Sequence, residues 1–139
     1  MNTFNPYLTF SGQCQQALTF YESAFKGKTI MRQTFGQAPQ AVSGVNPTHI
    51  MYAEFKADNV FFMATDGMSS DKVTSSNQIT LNIGFDSAAE QARVFEALSK
   101  DGEIKMPLEK TFWGAMFGMV TDQFGINWML NHQIKNEQQ

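Results

Sequence analysis

Apolar side chains recur along this chain with two alternating periods. The stretch NPYLTF alternates with the period of two that predicts a short strand. GQCQQALTFYESAF follows with Ala17, Phe20, Tyr21 and Phe25 on one helical face, ended by Gly27. Further on, QITLNIGF alternates through Ile79, Leu81, Ile83 and Phe85. SAAEQARVFEALSKDG then predicts a second helix, with Ser87 as N-cap, Ala92, Phe95 and Leu98 apolar, and Gly102 as the stop. Overlaid at a shift of 75, Phe10 meets Phe85, Gln16 meets Gln91, Ala17 meets Ala92, Phe20 meets Phe95 and Gly27 meets Gly102. That agreement exceeds what helix periodicity alone supplies, so the chain reads as an internal repeat.

Three strand-like runs follow each helix: KTIMRQTF, HIMYAEFKA and NVFFMAT in the first half, EIKMPLEKTF, AMFGMVT and INWML in the second, with KADN and DQFG as hairpin turns. The final hairpins align at a shift of 66, which sets Met63 on Met129 and leaves nine extra residues in the first half. GQAPQAVSGVNP, residues 36–47, is rich in turn formers and is expected to hold them as a mobile loop over the sheet. The tail KNEQQ is expected to fray.

The fold class is therefore α+β: two βαβββ modules forming a curled mixed sheet around a cleft, with helices on the outer face. The whole chain, 1–139, reads as one domain, with module one at about 1–68, a polar connector at about 69–77 and module two at about 78–132. The same strand faces are buried whether the modules pair within one chain or are exchanged across a dimer.

Alternation also sorts side chains by face. Phe4, Leu8 and Phe10, then Ile79, Leu81 and Ile83, are assigned to the helix side, leaving Asn5, Tyr7 and Thr9, then Thr80, Asn82 and Gly84, toward the cleft. In the last strands Val60, Phe62, Ala64, Ile126, Trp128 and Leu130 face the helices; Phe61, Met63, Thr65, Asn127, Met129 and Asn131 face the cleft. The expected lining is neutral, with Asp66 at the rim and Glu109 as its sole ionisable contributions.

Composition narrows the partners. Ten Lys plus Arg stand against 13 Asp plus Glu with no basic cluster, which argues against nucleic acid. The N-terminal MNTFNPYLTF has neither a basic leader nor a long apolar run, and no segment has the length of a membrane span, so no membrane partner is expected. A single cysteine, Cys14, excludes an intrachain disulfide and points to a reducing cytoplasm. The start of a helix can lower a thiol pKa, although a small packed residue is the plainer reading of Cys14. His49 and His132 read as surface residues near the cleft mouth.

The paired units, the FY of LTFYESAF, the DG after FMAT and above all MPLEKTFWGAMFGMVTDQFGINWML resemble the PhnB-like branch of the vicinal oxygen chelate superfamily, over essentially the whole chain. That superfamily includes glyoxalase I, bleomycin-resistance proteins and extradiol dioxygenases. The resemblance implies dimeric chains and, in the enzymatic relatives, a divalent metal held by His and Glu. It also brings the label of demethylubiquinone methyltransferase, which these residues do not support, since no Gly-rich nucleotide loop follows a strand. Carried over by position, the metal slots fall at or next to Asn5, at Met63, near Thr80 and at Met129. Amides, hydroxyls and thioethers do not replace imidazole and carboxylate around a hard cation, so no metal and no cofactor is expected.

The reading is a homodimer that binds a small organic molecule through Asn5, Tyr7, Met63, Thr65, Thr80, Asn82, Phe112, Trp113, Phe117, Met129 and Asn131. Gly114 after Trp113 suggests a bulge that turns the indole over the cleft, although Phe112, Trp113 and Phe117 equally suit an interface. The alternative is a lyase, isomerase or dioxygenase-type enzyme with a non-standard metal site, or a metal-free one using Glu109 as acid/base with Tyr7. Glu109 qualifies because a carboxylate among aromatics has its pKa raised, and a solvated edge glutamate is its plainer reading.

Overall fold

The computed structural model describes residues 2–68 and 72–134. The expected frayed tail, 135–139, lies outside them, as do three residues of the connector. The chain divides into two compact units, 1–73 and 74–139. In the first, β1 (Tyr7–Thr9), α1 (Cys14–Phe25), β2 (Lys28–Thr34), β3 (Ile50–Ala57) and β4 (Val60–Thr65) form a four-stranded sheet in the order β1-β4-β3-β2. In the second, β5 (Leu81–Gly84), α2 (Ala88–Ser99), β6 (Glu103–Lys110), β7 (Ala115–Thr121) and β8 (Asn127–Gln133) form one in the order β5-β8-β7-β6. Each sheet is mixed, with β1–β4 and β5–β8 parallel and the other pairs antiparallel. Among the described residues no helix is long and apolar enough to cross a membrane.

Each helix buries its apolar stripe on one face of its own sheet. Tyr21 and Phe25 of α1 meet Phe55 of β3 and Phe62 of β4, whose rings stack 4.7 Å apart. In α2 the buried set is Gln91, Val94, Phe95 and Leu98, with Val120, Trp128 and Leu130 buried on the strands. Gln91 is fully buried, so its amide needs partners; it donates to the carbonyls of Met116 (2.9 Å) and Leu130 (3.1 Å), tying helix to sheet.

Ser87 caps α2 as expected, accepting from the Glu90 amide at 3.2 Å. The start of α1 has no side-chain cap of its own. Asp66, just beyond β4, replaces it: one carboxylate oxygen accepts from the Cys14 amide (2.9 Å) and the other from the Ile50 amide (2.8 Å).

The repeat is deeper than the sequence overlay and partly different from it. Both β2 and β6 carry a register break at matching places, between Thr29 and Met31 and between Ile104 and Met106. Both helices exit through a left-handed residue, Lys26 (φ 55) and Asp101 (φ 57), one residue before the expected stops. Gly27 and Gly102 have ordinary φ, and glycine is required there by close approach: a Cβ on Gly27 would lie 2.5 Å from the Ala57 Cβ, and one on Gly102 2.5 Å from the Thr121 carbonyl. The strand offset of 75 does not hold inside the helices. Ala17 is buried while Ala92 is exposed, and Gln16 is exposed while Gln91 is buried. The connection from β5 into α2 is one residue shorter than that from β1 into α1, and the residue returns after the helix as Lys100. One residue turns a helix by about 100°, so α2 presents Gln91, Val94 and Leu98 where the overlay expects Ala92.

Two face assignments fail for the same reason. Phe4 (98% exposed) and Ile79 (70%) precede their strands, so strand alternation does not govern them. The 36–47 insertion is tied at both ends, by Phe35 N–H to the His49 carbonyl (3.0 Å) and Gly36 N–H to the Pro47 carbonyl (2.9 Å), and opens with a 3-10 turn at Phe35–Gln37.

Candidate functional site

The face of each sheet opposite its helix carries the polar and polarisable residues, and register assembles them into rows. Across the first sheet Tyr7 pairs with Met63, Met63 with Glu54, and Glu54 with Met31. Across the second Asn82 pairs with Met129, Met129 with Met119, and Met119 with Met106. The rows are equivalent position by position, with a methionine central in each. A second row in the second unit joins Gly84, Asn131, Phe117 and Glu109.

In the second unit the row Asn82, Met129, Met119 and Met106 has no ionisable side chain, whereas the row of the first unit contains a carboxylate that the expected neutral lining leaves out. Glu54 lies on the open face, half-buried, and accepts a hydrogen bond from the Tyr52 hydroxyl at 2.6 Å. The rings of Tyr52 and Tyr7 meet nearly at right angles, with centroids 6.1 Å apart. The hydrogen bond to Glu54 pushes the Tyr52 hydroxyl up to about 12, with burial and the nearby Glu54 charge adding to it, so Tyr52 stays a donor. The signal for Glu54 and Tyr52 was present in MYAEFKA, where Ala53, Phe55 and Ala57 alternate as the buried set. Sorting only the first and last strands of each module in chain order misses it.

The expected site residues divide. Tyr7 with Met63, and Asn82 with Met129, stand side by side in the two rows; Asn131 and Phe117 are neighbours in the second unit. Asn5 and Thr80 lie outside the strands, Asn5 exposed and Thr80 half-buried. Thr65 is buried and its hydroxyl is spent on backbone, donating to the Met51 carbonyl (2.7 Å) and accepting from the Gly67 amide (2.9 Å). Glu109 is exposed on β6, an edge strand.

Phe112 and Trp113 do not sit on a strand bulge. They form a tight turn between β6 and β7, closed by Thr111 N–H to the Ala115 carbonyl (2.7 Å) and enabled by the left-handed Gly114 (φ 85). Phe112 is 97% exposed there; the Trp113 ring, 54% exposed, leans on Phe117 with centroids 6.3 Å apart.

Cys14 is fully buried, and burial with the Asp66 carboxylate beside it pushes its thiol up to about 12, opposite to the shift a helix start alone would give. His132 holds the Phe85 carbonyl through Nδ1 at 2.9 Å.

A cavity of about 380 Å³ lies elsewhere in the first unit, beside the start of α1, with Gly12, His49, Asp66 and Lys72 in its walls. None of the row residues lines it, and Asp66 already spends both oxygens on backbone amides. The open faces carry more polarisable groups, the thioethers and aromatic rings of the rows, and they are the stronger candidate.

Of the implied metal slots, Asn5 and Thr80 lie outside the strands; the residues that register sets beside Met63 and Met129 are Tyr7 and Asn82. Phenol, amide and thioether make a donor set that does not fit a hard or borderline divalent cation. Among the described residues no three His, Cys, Asp or Glu side chains are grouped to hold one.

Comparison with known proteins agrees with this architecture. The family described as 3-demethylubiquinone-9 3-methyltransferase matches residues 2–131. The chain is 32% identical to Protein YjdN of Escherichia coli (strain K12), over 91% of this chain and 92% of that one. The crystal structure of protein PA1353 from Pseudomonas aeruginosa is 32% identical, with a TM-score of 0.85 over 97% of this chain and 100% of that one. A glyoxalase/bleomycin resistance protein from Albidiferax ferrireducens T118 shares the fold alone: 14% identity, TM-score 0.63, 95% of this chain and 99% of that one.

Proposed function

We propose a function for a chain that belongs to the 3-demethylubiquinone-9 3-methyltransferase family, the PhnB-like branch of the vicinal oxygen chelate superfamily: binding of a small organic ligand on the methionine- and aromatic-lined open faces of its sheets, without a metal. The observation that carries this reading is the pair of equivalent rows, in which Met63 and Met129 occupy the central positions. Thioethers are flexible and polarisable, and with aromatic neighbours they suit apolar and aromatic ligands. Neighbouring amides on Asn82 and Asn131 supply hydrogen bonds that orient such a ligand.

Methyl transfer, named in the family's description, finds less support. Each sheet has a single parallel pair, so neither unit offers the run of parallel strands with a Gly-rich turn into a helix that cradles nucleotide-type cofactors. Of the residues an acid/base enzyme would use, Glu109 stands exposed on an edge strand. The same reading has the chain act as a cytoplasmic homodimer, with the exposed Phe112 and Trp113 turn suited to contact a second copy.

A thermal-shift screen of small organic compounds, run with and without excess EDTA, tests the proposal. The expected result is a set of stabilising compounds whose effect is the same in both conditions. Stabilisation that disappears with EDTA and returns with a divalent metal would sink it.

A further inference from the structure

We infer that the open face of the first unit is a site for an organic cation, an ammonium or amidinium group, with Glu54 as its counter-charge and the Tyr7 and Tyr52 rings as its aromatic wall. This rests on the ligand-binding reading above and adds the chemical class of the ligand for one of the two faces.

Three observations carry it. Glu54 is a half-buried carboxylate in the middle of β3, and no ion pair to it exists among the described residues. Lys56 shares its face and stays exposed without pairing to it. A carboxylate accepts at about four lone-pair positions, and Tyr52 fills one. A partly desolvated, uncompensated negative charge is unfavourable until a cation arrives, which gives the face a preference for positive ligands.

The surroundings fit an organic cation better than a metal ion. The rings of Tyr7 and Tyr52 meet at 86° and form a corner of aromatic surface, which attracts ammonium groups through the ring quadrupole. Met63 and Met31 flank Glu54 on the adjoining strands, and their thioethers accept alkyl groups rather than a hard ion's oxygen shell.

The second unit supplies an internal comparison. At the positions equivalent to Tyr7, Glu54 and Tyr52 it has Asn82, Met119 and Phe117, so those three positions carry no charge and no phenol. The repeat keeps the central methionine and changes what surrounds it: the first unit sets a half-buried carboxylate beside it, whereas the second unit's carboxylate, Glu109, stands exposed on the edge strand in the neighbouring row.

Saturation-transfer NMR with choline tests the inference, alongside 3,3-dimethylbutan-1-ol, in which carbon replaces the charged nitrogen in the same shape. Choline is expected to bind saturably and at least about tenfold more tightly than the alcohol. Glu54→Gln should weaken choline by about tenfold or more and leave the alcohol unchanged, while Glu96→Gln, the same charge change on an exposed helical position, should alter neither. Equal binding of the two compounds, unaffected by Glu54→Gln, overturns the cation site and leaves ligand binding on this face standing. No saturable transfer to either compound also overturns the cation site, whereas ligand binding itself falls only with the wider compound screen.

Discussion

Asp122→Ala is expected to lower the stability of this protein by about 3 kcal/mol, since hydrogen bonds to a charged acceptor contribute roughly 1.5–3 kcal/mol each and some of the donors released here regain water. Asp122 is 3% exposed and closes the β7–β8 turn from inside. One of its oxygens accepts from the amides of Phe124 (2.8 Å) and Ile126 (3.1 Å), and the other from the Trp128 indole N–H (2.8 Å). The two amides belong to half-buried residues near the turn, where water can replace the carboxylate. Trp128 is 2% exposed, so its indole N–H would lose this acceptor where water does not readily replace it. Asp122→Asn keeps an acceptor and should lose less. Urea unfolding checks both; a loss below about 1 kcal/mol for the alanine variant would mean that the turn does not depend on this clamp.

Gly27→Ala is the second large effect, a loss of about 2–3 kcal/mol from overpacking. The φ of Gly27 suits alanine, so the cost is steric: the new methyl would sit 2.5 Å from the Ala57 Cβ and 2.7 Å from the Lys56 carbonyl oxygen. Neither contact is the end of a flexible side chain, so β3 or the helix exit must move. Gly102→Ala meets the Thr121 carbonyl at 2.5 Å and should behave alike. Gly84→Ala, with nothing within 4 Å of the added methyl, should stay within about 0.5 kcal/mol of the parent. If all three glycine variants unfold at the same denaturant concentration, close approach is not why glycine stands at the helix exits.

Much of the architecture was legible because a βαβββ unit announces itself through changes of period and turn residues, and here it does so twice. Helix faces were less legible, since a residue lost before α2 and restored after it rotates the helix without disturbing the strand alignment. That is why Gln91, a core residue bonded to two strand carbonyls, reads in sequence as the counterpart of the exposed Gln16. The helix exits were placed one residue late because glycine signals both a left-handed backbone and tight packing, and at Gly27 and Gly102 only the second applies. Asp66 as the cap of α1 was invisible, because its partners are 52 and 16 residues away in the chain.

The site was legible on β1, β4, β5 and β8, which alternation sorts, as for Tyr7, Met63, Asn82 and Met129. It was missed on β3, where Tyr52 and Glu54 turn one face from neutral to acidic. TFWGAMFG drew attention through its aromatics, yet Phe112 sits at a hairpin tip in solvent. Composition alone does not tell a pocket wall from an exposed turn.

The central claim is that the open faces, and not the cavity beside α1, bind the ligand. Methyl-labelled methionine NMR tests it directly, since the chain's nine methionines include Met31 and Met63 on one face, Met106, Met119 and Met129 on the other, and Met68 at the cavity. A stabilising compound from the screen should shift the methyl signals of one of those two face sets, saturably and in the presence of EDTA, while Met68 stays unmoved. Shifts confined to Met68, or appearing only after a divalent metal is added, would contradict the account.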